Sequence, residues 1–335
     1  MKAVLAGPKS SGKSTLFNML CTAVGAKPYQ DKKERILTLT LEDERLRRLQ
    51  ALTKRPKIVF ATYTLTDLTS AASEAESVAL WRQADVLVCV FKFDSYDGFK
   101  AQKDEFISKL IQLDLEVSLP RYEKLKAASV KGGLHQQTDR DEFEILEPAI
   151  ECLKRGSPLW QLNLSSESRK VLSHFGFLTL KNFVWVVNLP EENASESGYK
   201  ESLDSFFVAA SLELQLCELA ECDRGEFAKA YGLEKPVALN LIRHIFFKGG
   251  YILFFTVGDE EVRGWALERG SSAVKAAGKI HTDMERGFIK AEVIKFDDYI
   301  NCGGRDGAQY SGKMRLEGAD YIVNDGDVLQ FRFSK

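Results

Sequence analysis

Gly7-Pro8-Lys9-Ser10-Ser11-Gly12-Lys13-Ser14 places two glycines, a lysine and a hydroxyl at the spacing G-x-x-x-x-G-K-[ST], the pattern that cradles a chain of phosphates. Glycines let the backbone curl so that successive N–H groups face inward. A helix starting at the end of the loop adds its partial positive charge. Lys13 would neutralise the β- and γ-phosphates, the Ser14 hydroxyl would take a position on Mg²⁺, and Thr15 would close the loop. This chemistry requires a strand before the loop and a helix after it. Ala3-Val4-Leu5-Ala6 reads as a buried strand, and Thr15-Leu16-Phe17-Asn18-Met19-Leu20 reads as the first turns of a helix.

Four further β-rich runs supply the surrounding elements. Residues 58–66 alternate before Asp67, residues 86–93 are nearly all apolar, residues 182–189 read NFVWVVNL, and residues 206–211 read FFVAAS. Helical patterns such as residues 75–83 lie between them. Near-continuous apolar strands alternating with helices predict an α/β fold with a parallel sheet covered on both faces. Ligands of such sheets sit at the carboxyl ends of the strands, where Gly7, Asp67, Asn188 and Ala209 would all lie.

The chain has 335 residues, too many for one ordinary core, so two or three domains are expected. Its 46 Lys+Arg against 48 Asp+Glu give a formal net charge of -2, which offers no support for non-specific nucleic-acid binding by bulk charge. No apolar run approaches the ~20 residues that span a bilayer, and no signal-peptide pattern precedes the first strand. The six cysteines form no C-x-x-C pair and read as small buried hydrophobes of a reducing compartment. The four histidines form no metal-ligand cluster. These features point to a cytoplasmic protein without a membrane partner.

Residues 100–181 break the strand–helix rhythm, being long, charged and helix-periodic. Two antiparallel helices are expected around a break at Lys131-Gly132-Gly133, with Pro120 and Pro148 at helix starts and Gly156 closing one helix. From Tyr251 onward, short β-runs at 252–257, 262–267, 288–296, 321–323 and 328–333 surround one helix near 272–279. Asn324-Asp325-Gly326 marks a turn there, and Gly249-Gly250 is the expected joint to the rest of the chain.

With the phosphate loop, Asn188-Leu189-Pro190-Glu191 and the C-terminal unit taken together, the chain resembles the Obg-like ATPase (YchF) family of translation-factor-class P-loop NTPases. The most specific match is C-terminal. Lys279-Ile280-His281-Thr282-Asp283-Met284-Glu285-Arg286-Gly287-Phe288 and Leu316-Glu317-Gly318-Ala319-Asp320-Tyr321-Ile322-Val323-Asn324-Asp325-Gly326-Asp327-Val328 look like that family's TGS region, a ubiquitin-like β-grasp. The resemblance implies a P-loop NTPase domain from 1–99 and 182–250, an inserted α-helical hairpin at 100–181 and a β-grasp at 251–335. Relatives that bind guanine use N-K-x-D, whose Asp carboxylate accepts from both guanine donors. Adenine presents an amino donor beside a ring acceptor, so a bidentate carboxylate would set acceptor against acceptor. Here the element is N-x-x-E. The resemblance therefore implies ATP with Mg²⁺ rather than GTP, with Asn188 and Leu189 at the base, Glu191 in the place of the Asp, and Ala209-Ala210-Ser211 closing the base edge. It also implies a ribosome or other translation-associated partner, with direct nucleic-acid binding left open.

Two segments depart from the family pattern. The second switch usually runs D-x-x-G into a glycine-rich stretch carrying a histidine. Here it reads Asp67-Leu68-Thr69-Ser70-Ala71-Ala72-Ser73-Glu74-Ala75-Glu76, and no histidine occurs before His135. Matching Asp43-Glu44-Arg45-Leu46 to the family's D-P-R-L puts Asp31 where a metal-contacting Thr is usual. Lys13 and Asp67 are the catalytic candidates, and Ser14 and Asp67 the metal candidates, with Asp67 acting through water. Loss of one charge-stabilising donor commonly costs ~2.7–4 kcal/mol of barrier, so binding is expected to outlast hydrolysis. The resulting expectation is an ATP-binding regulatory or ribosome-associated factor with weak hydrolysis. A GTP switch and a catalytically degenerate nucleotide-binding adaptor are the alternatives. The hairpin's insertion point places its root beside the base-binding element, with a cleft expected between the parts.

Overall fold

A computed structural model describes all residues except 32, 131–136, 234–236 and 335. The expected break at residues 131–133 lies outside the described residues. Along the chain run strands β1 (Lys2–Ala6), β2 (Tyr29–Gln30), β3 (Glu34–Leu41), β4 (Lys57–Val59), β5 (Ala61–Leu68), β6 (Val86–Lys92), β7 (Asn182–Asn188), β8 (Gly198–Lys200) and β9 (Ser205–Val208). The helices among them are α1 (Lys13–Ala23), α2 (Glu44–Thr53), α3 (Glu74–Gln83), α4 (Tyr96–Val130), α5 (Gln137–Lys154), α6 (Ser166–Ser173), α7 (Ala210–Glu218), α8 (Glu221–Ala230) and α9 (Ala238–Lys248).

All these strands except β4 form one sheet in the order β2-β3-β5-β1-β6-β7-β9-β8. The central five, β5, β1, β6, β7 and β9, are parallel. β3 runs antiparallel to β5, and β8 antiparallel to β9. Burial on both faces explains the near-continuous apolar runs. Leu5, Val88 and Val186 join Leu16, Phe17 and Leu20 of α1 and Leu241 and Ile245 of α9. The alternate residues Val4, Cys89, Phe91 and Val187 pack with Leu80 and Trp81 of α3 and with Phe99 and Phe106 of α4. Because the central strands are parallel, Gly7, Asp67, Asn188 and Ala209 fall on one edge of the sheet.

The run 58–66 differs from its expectation: it splits at Phe60 between two sheets. β4 pairs parallel with β11 (Glu261–Glu268), while β5 belongs to the central sheet. Likewise, 206–211 is not all strand, since β9 ends at Val208 and α7 begins at Ala210. Pro120 and Pro148 lie inside α4 and α5 rather than at their starts. A mid-helix proline costs ~3 kcal/mol in isolation. Here Ile111, Tyr122 and Leu125 of α4 are buried against Leu146, Ala149, Ile150 and Leu153 of α5, which holds the chain helical on both sides of each proline. Gly156, at φ 74°, ends α5 as expected. The buried Asp114 of α4 fastens the stem of this excursion. It accepts from the amides of Leu178 and Thr179, both at 2.8 Å, and from Arg82 of α3 at 3.2 Å.

The C-terminal sheet adds β10 (Tyr251–Val257), β12 (Phe288–Lys295), β13 (Arg315–Glu317) and β14 (Asp327–Phe333) to β11, in the order β13-β12-β14-β10-β11-β4. One face carries α10 (Ala273–Ile280), with Ala273 and Ala276 against Ile252 and Phe254. The other face puts Leu253, Phe255 and Val328 into the same core as Leu46 and Leu49 of α2. The expected strand at 321–323 is a single bridge between Ser272 and Ile322. Gly249-Gly250 is a packed corner, because Asn182 Nδ2 donates to the Gly249 carbonyl at 2.8 Å and a Cβ on Gly249 would meet Val86 at 2.7 Å. The second sheet thus shares a core with the first and takes its edge strand, β4, from the chain just before β5.

Candidate functional site

The loop between β1 and α1 is shaped by its glycines. Gly7 has φ 121°, and a Cβ there would lie 2.3 Å from the Val90 carbonyl oxygen. Gly12 has φ 93°, and a Cβ there would lie 2.0 Å from Asn188 Nδ2. Ser10 is also left-handed, at φ 60°. Lys13, in the first turn of α1, reaches back to donate to the carbonyls of Gly7, at 3.0 Å, and Pro8. Its ammonium therefore lies over the curl of the loop. Burial pulls the Lys13 pKa down, and Asp67 partly offsets that by attraction. Ser11 is buried, whereas Ser14 is exposed at the rim.

Asn188, the last residue of β7, ties this loop to the neighbouring strand end. Its Nδ2 donates to the Ser11 carbonyl at 3.3 Å, and its Oδ1 accepts from the Ala210 amide at 3.2 Å. One side chain thus spans the phosphate loop and the start of α7. Of the other residues expected near a base, Ala209 and Ala210 are buried while Ser211 and Glu191 are exposed. Leu189 is only 4% exposed and packs in the apolar cluster on the α3 and α4 face, so it offers little side-chain surface to a base. Its amide donates to the Val208 carbonyl at 2.9 Å.

The opposite rim is built by β3 and β5. Their antiparallel register sets Arg35 directly across from Asp67. The Arg35 guanidinium pairs with Asp67 Oδ2, the same oxygen that accepts from Ser14 Oγ at 3.2 Å. Arg35 also donates to Asn18 Oδ1 at 2.9 Å and lies over the Phe17 ring at 4.6 Å, so both α1 and β5 hold it. Sequence reasoning missed this arginine. The alternation of Glu34-Arg35-Ile36-Leu37-Thr38-Leu39-Thr40-Leu41 could have revealed its strand, but its partner depends on a register set between two segments.

Asp31, Lys33 and Glu76 nearby are also satisfied locally. Asp31 accepts from the amides of Lys33 and Glu34, at 2.7 and 2.8 Å, and these donors lower its pKa. It serves as a turn cap between β2 and β3. Thr69 donates its amide to the Lys33 carbonyl at 2.8 Å, and the Lys33 ammonium pairs with Glu76. Ser73 and Glu76 form a reciprocal cap on α3. Among the described residues no group of three or more His, Cys, Asp and Glu could hold a metal ion. Ser14 suits a cation arriving with phosphates. Asp67 Oδ2, the oxygen that faces Ser14, is already taken by the Arg35 guanidinium.

A cleft of about 980 Å³ opens beside this rim. Pro8, Lys13 and Ser14 line one wall, Asp67 and Ser70 a second, and Trp81, Phe106 and Lys109 a third. The root of the helical excursion therefore borders the phosphate side. Its first turn also reaches the base side, where Phe93 and Tyr96 meet Phe207. No helix among the described residues is long and apolar enough to cross a membrane.

Comparison with known proteins agrees with this architecture. The YchF-GTPase_C family model, described as a protein of unknown function (DUF933), matches residues 251–334. The ribosome-binding ATPase YchF of Escherichia coli O157:H7 is 32% identical over 373 residues, covering 99% of this chain and 99% of the relative. The protein of the same name from Bacillus subtilis is 30% identical over 364 residues, covering 100% and 99%. Among solved structures, the Schizosaccharomyces pombe YchF GTPase shares the fold with a TM-score of 0.79 at 22% identity, covering 99% of this chain and 97% of that one. A full-length match of this kind, on a chain whose first strand ends in a phosphate loop and whose residues 251–334 match the family's own C-terminal model, means that this chain belongs to the YchF family of P-loop NTPases.

Proposed function

We propose that this chain binds ATP at the loop of residues 7–15, hydrolyses it slowly, and works as a ribosome-associated regulatory factor. The observation that carries the reading is the phosphate loop with Lys13 held over it and Asn188 locking it to the base-side elements. Lys13 would meet the phosphates in exchange for its two carbonyl partners, and Ser14 is the hydroxyl placed to meet a cation that arrives with them. Asn188, whose Oδ1 accepts from the Ala210 amide, would stand on the base side. Adenine is favoured over guanine because Asn188-Leu189-Pro190-Glu191 lacks the Asp that accepts from both guanine donors. Two bacterial relatives named ribosome-binding ATPases support the adenine reading and the ribosomal partner.

A second reading, a nucleotide-binding adaptor with negligible turnover, is favoured by the switch side. Asp67 is engaged by Arg35, and Ser70 stands where a glycine amide would meet the γ-phosphate. Calorimetric titration of ATP and GTP against the wild type and Lys13→Ala tests the site. ATP should bind at least tenfold more tightly than GTP, and Lys13→Ala should abolish both. Equal or tighter GTP binding would sink the adenine assignment. Single-turnover phosphate release then separates the slow ATPase from the adaptor, and co-sedimentation with ribosomes tests the partner.

A further inference from the structure

Arg35 occupies an unusual place for a cation. It sits on the strand edge next to the phosphate loop, paired with the carboxylate that a P-loop protein of this family would aim at the metal's water shell. The pair is built in rather than casual. Asp67 is 1% exposed and the Arg35 side chain 15%. Strand register sets the two residues opposite each other, Phe17 stacks under the guanidinium, Asn18 takes a second N–H, and Ser14 shares the same carboxylate oxygen. Swinging Arg35 away would leave a buried carboxylate without its counter-charge and forfeit the contacts to Phe17 and Asn18 together.

Resting on the nucleotide-binding reading above, we infer that Arg35 performs at Asp67 the charge compensation that a divalent cation otherwise provides, so that nucleotide binding at this P-loop gains little from Mg²⁺. The dependence is compressed from both ends. Without metal, a bare carboxylate beside the β- and γ-phosphates would repel them, and Arg35 removes that repulsion by neutralising Asp67. With metal present, Asp67 is already engaged and contributes little to the cation's outer shell. Ser14 and the phosphate oxygens then hold the cation without it.

The test is the ratio of ATP dissociation constants in EDTA and in millimolar magnesium chloride, measured calorimetrically on the full chain. The wild type should show a ratio below roughly tenfold, that is about 1.4 kcal/mol. Arg35→Gln exposes the Asp67 charge, so it should weaken metal-free binding and widen the ratio by at least about tenfold. A wild-type ratio of roughly a hundredfold or more, about 2.7 kcal/mol, overturns the inference while leaving the nucleotide site intact. An Arg35→Gln ratio equal to the wild type's overturns it too. Absence of ATP binding in both buffers overturns the nucleotide-binding reading, and the inference with it. A circular dichroism melt checks that Arg35→Gln is folded, and if it is not, the wild-type ratio alone decides.

Discussion

The two rims of the cleft lean on the same helix, α1, yet their polar groups are satisfied in different ways. On the phosphate-loop rim the shape comes from backbone: Gly7 and Gly12 at positive φ, with Val90 and Asn188 packed where their side chains would be. Lys13, at the end of the loop, rests on two carbonyl oxygens, partners that a phosphate can replace. On the switch rim the charged groups are already spoken for by the protein itself. Asp67 is paired with Arg35, Lys33 with Glu76, and Asp31 with its own turn amides. A cradle made of backbone keeps its form when the sensor beside it changes. A sensor whose groups are satisfied internally gives an incoming γ-phosphate little to reorganise. Binding and response can therefore separate within one fold.

The largest effect that would sharpen this contrast is expected at Asp67. Asp67→Ala leaves the half-hidden Arg35 guanidinium without its carboxylate, a change that typically costs about 3–5 kcal/mol when the pair is buried. Urea unfolding should show that loss. A change below about 1 kcal/mol would mean that the pair behaves as a solvated surface contact, and the contrast between the rims would fall.

A smaller effect separates the rims by pH. Glu213, buried under the first turns of α7 on the base side, accepts from the Val237 amide at 3.2 Å through each oxygen, and burial pushes its pKa to about 7. Because the folded value is raised, the stability associated with Glu213 is fully present below the ordinary glutamate pKa and is lost as pH rises through about 7. The switch-rim carboxylates go the other way. Glu76, hydrogen-bonded to Lys33, is held down at about 2, and Asp31 is lowered by its amide donors. Both stay ionised above pH 5 and add no slope there. Glu213→Gln should therefore be more stable than the wild type at pH 8.5 by roughly 2 kcal/mol, with the gap closing toward pH 5. A gap independent of pH would place the proton elsewhere.

The same contrast explains what the sequence revealed. The phosphate loop is a local pattern whose geometry follows from glycine positions, so Gly7, Gly12, Lys13 and Ser14 were legible, along with the strand and helix that flank them. The parallel centre of the sheet followed from apolar runs, and the C-terminal β-unit from short alternating runs. The link from Asn188 to Ser11, and the pairing of Arg35 with Asp67, depend on which strand ends meet in space. No local periodicity encodes that. β4 escaped for a related reason: residues 57–68 read as one unbroken β-rich run, and only pairing with β11 draws the first part into a different sheet. Pro120 and Pro148 misled because tertiary packing outweighed the local cost of a proline.

The smallest expected effect is the most direct attack on the comparison. If the switch rim is satisfied without ligand, then ATP and ADP should alter the protein's shape and dynamics almost equally. Differential contacts alone can shift a conformational equilibrium, so a γ-phosphate beside charged side chains that are already paired has little to shift. The segment after Asp67 is tied down on both sides: Thr69 to the Lys33 carbonyl before it, and Ser73, Glu76 and Lys33 joined into the cap of α3 after it. Lys109 of α4 pairs with Glu74, and Asp114 is locked to Arg82, Leu178 and Thr179, so the helical excursion is moored at its stem as well. Hydrogen exchange over residues 66–76 and 96–125, compared between ADP and a non-hydrolysable ATP analogue, should differ by less than about a factor of two in rate, under ~0.5 kcal/mol of local opening energy. A tenfold γ-phosphate-dependent change in either segment would show that the internal pairs open for the nucleotide after all, and would restore a working switch on this rim.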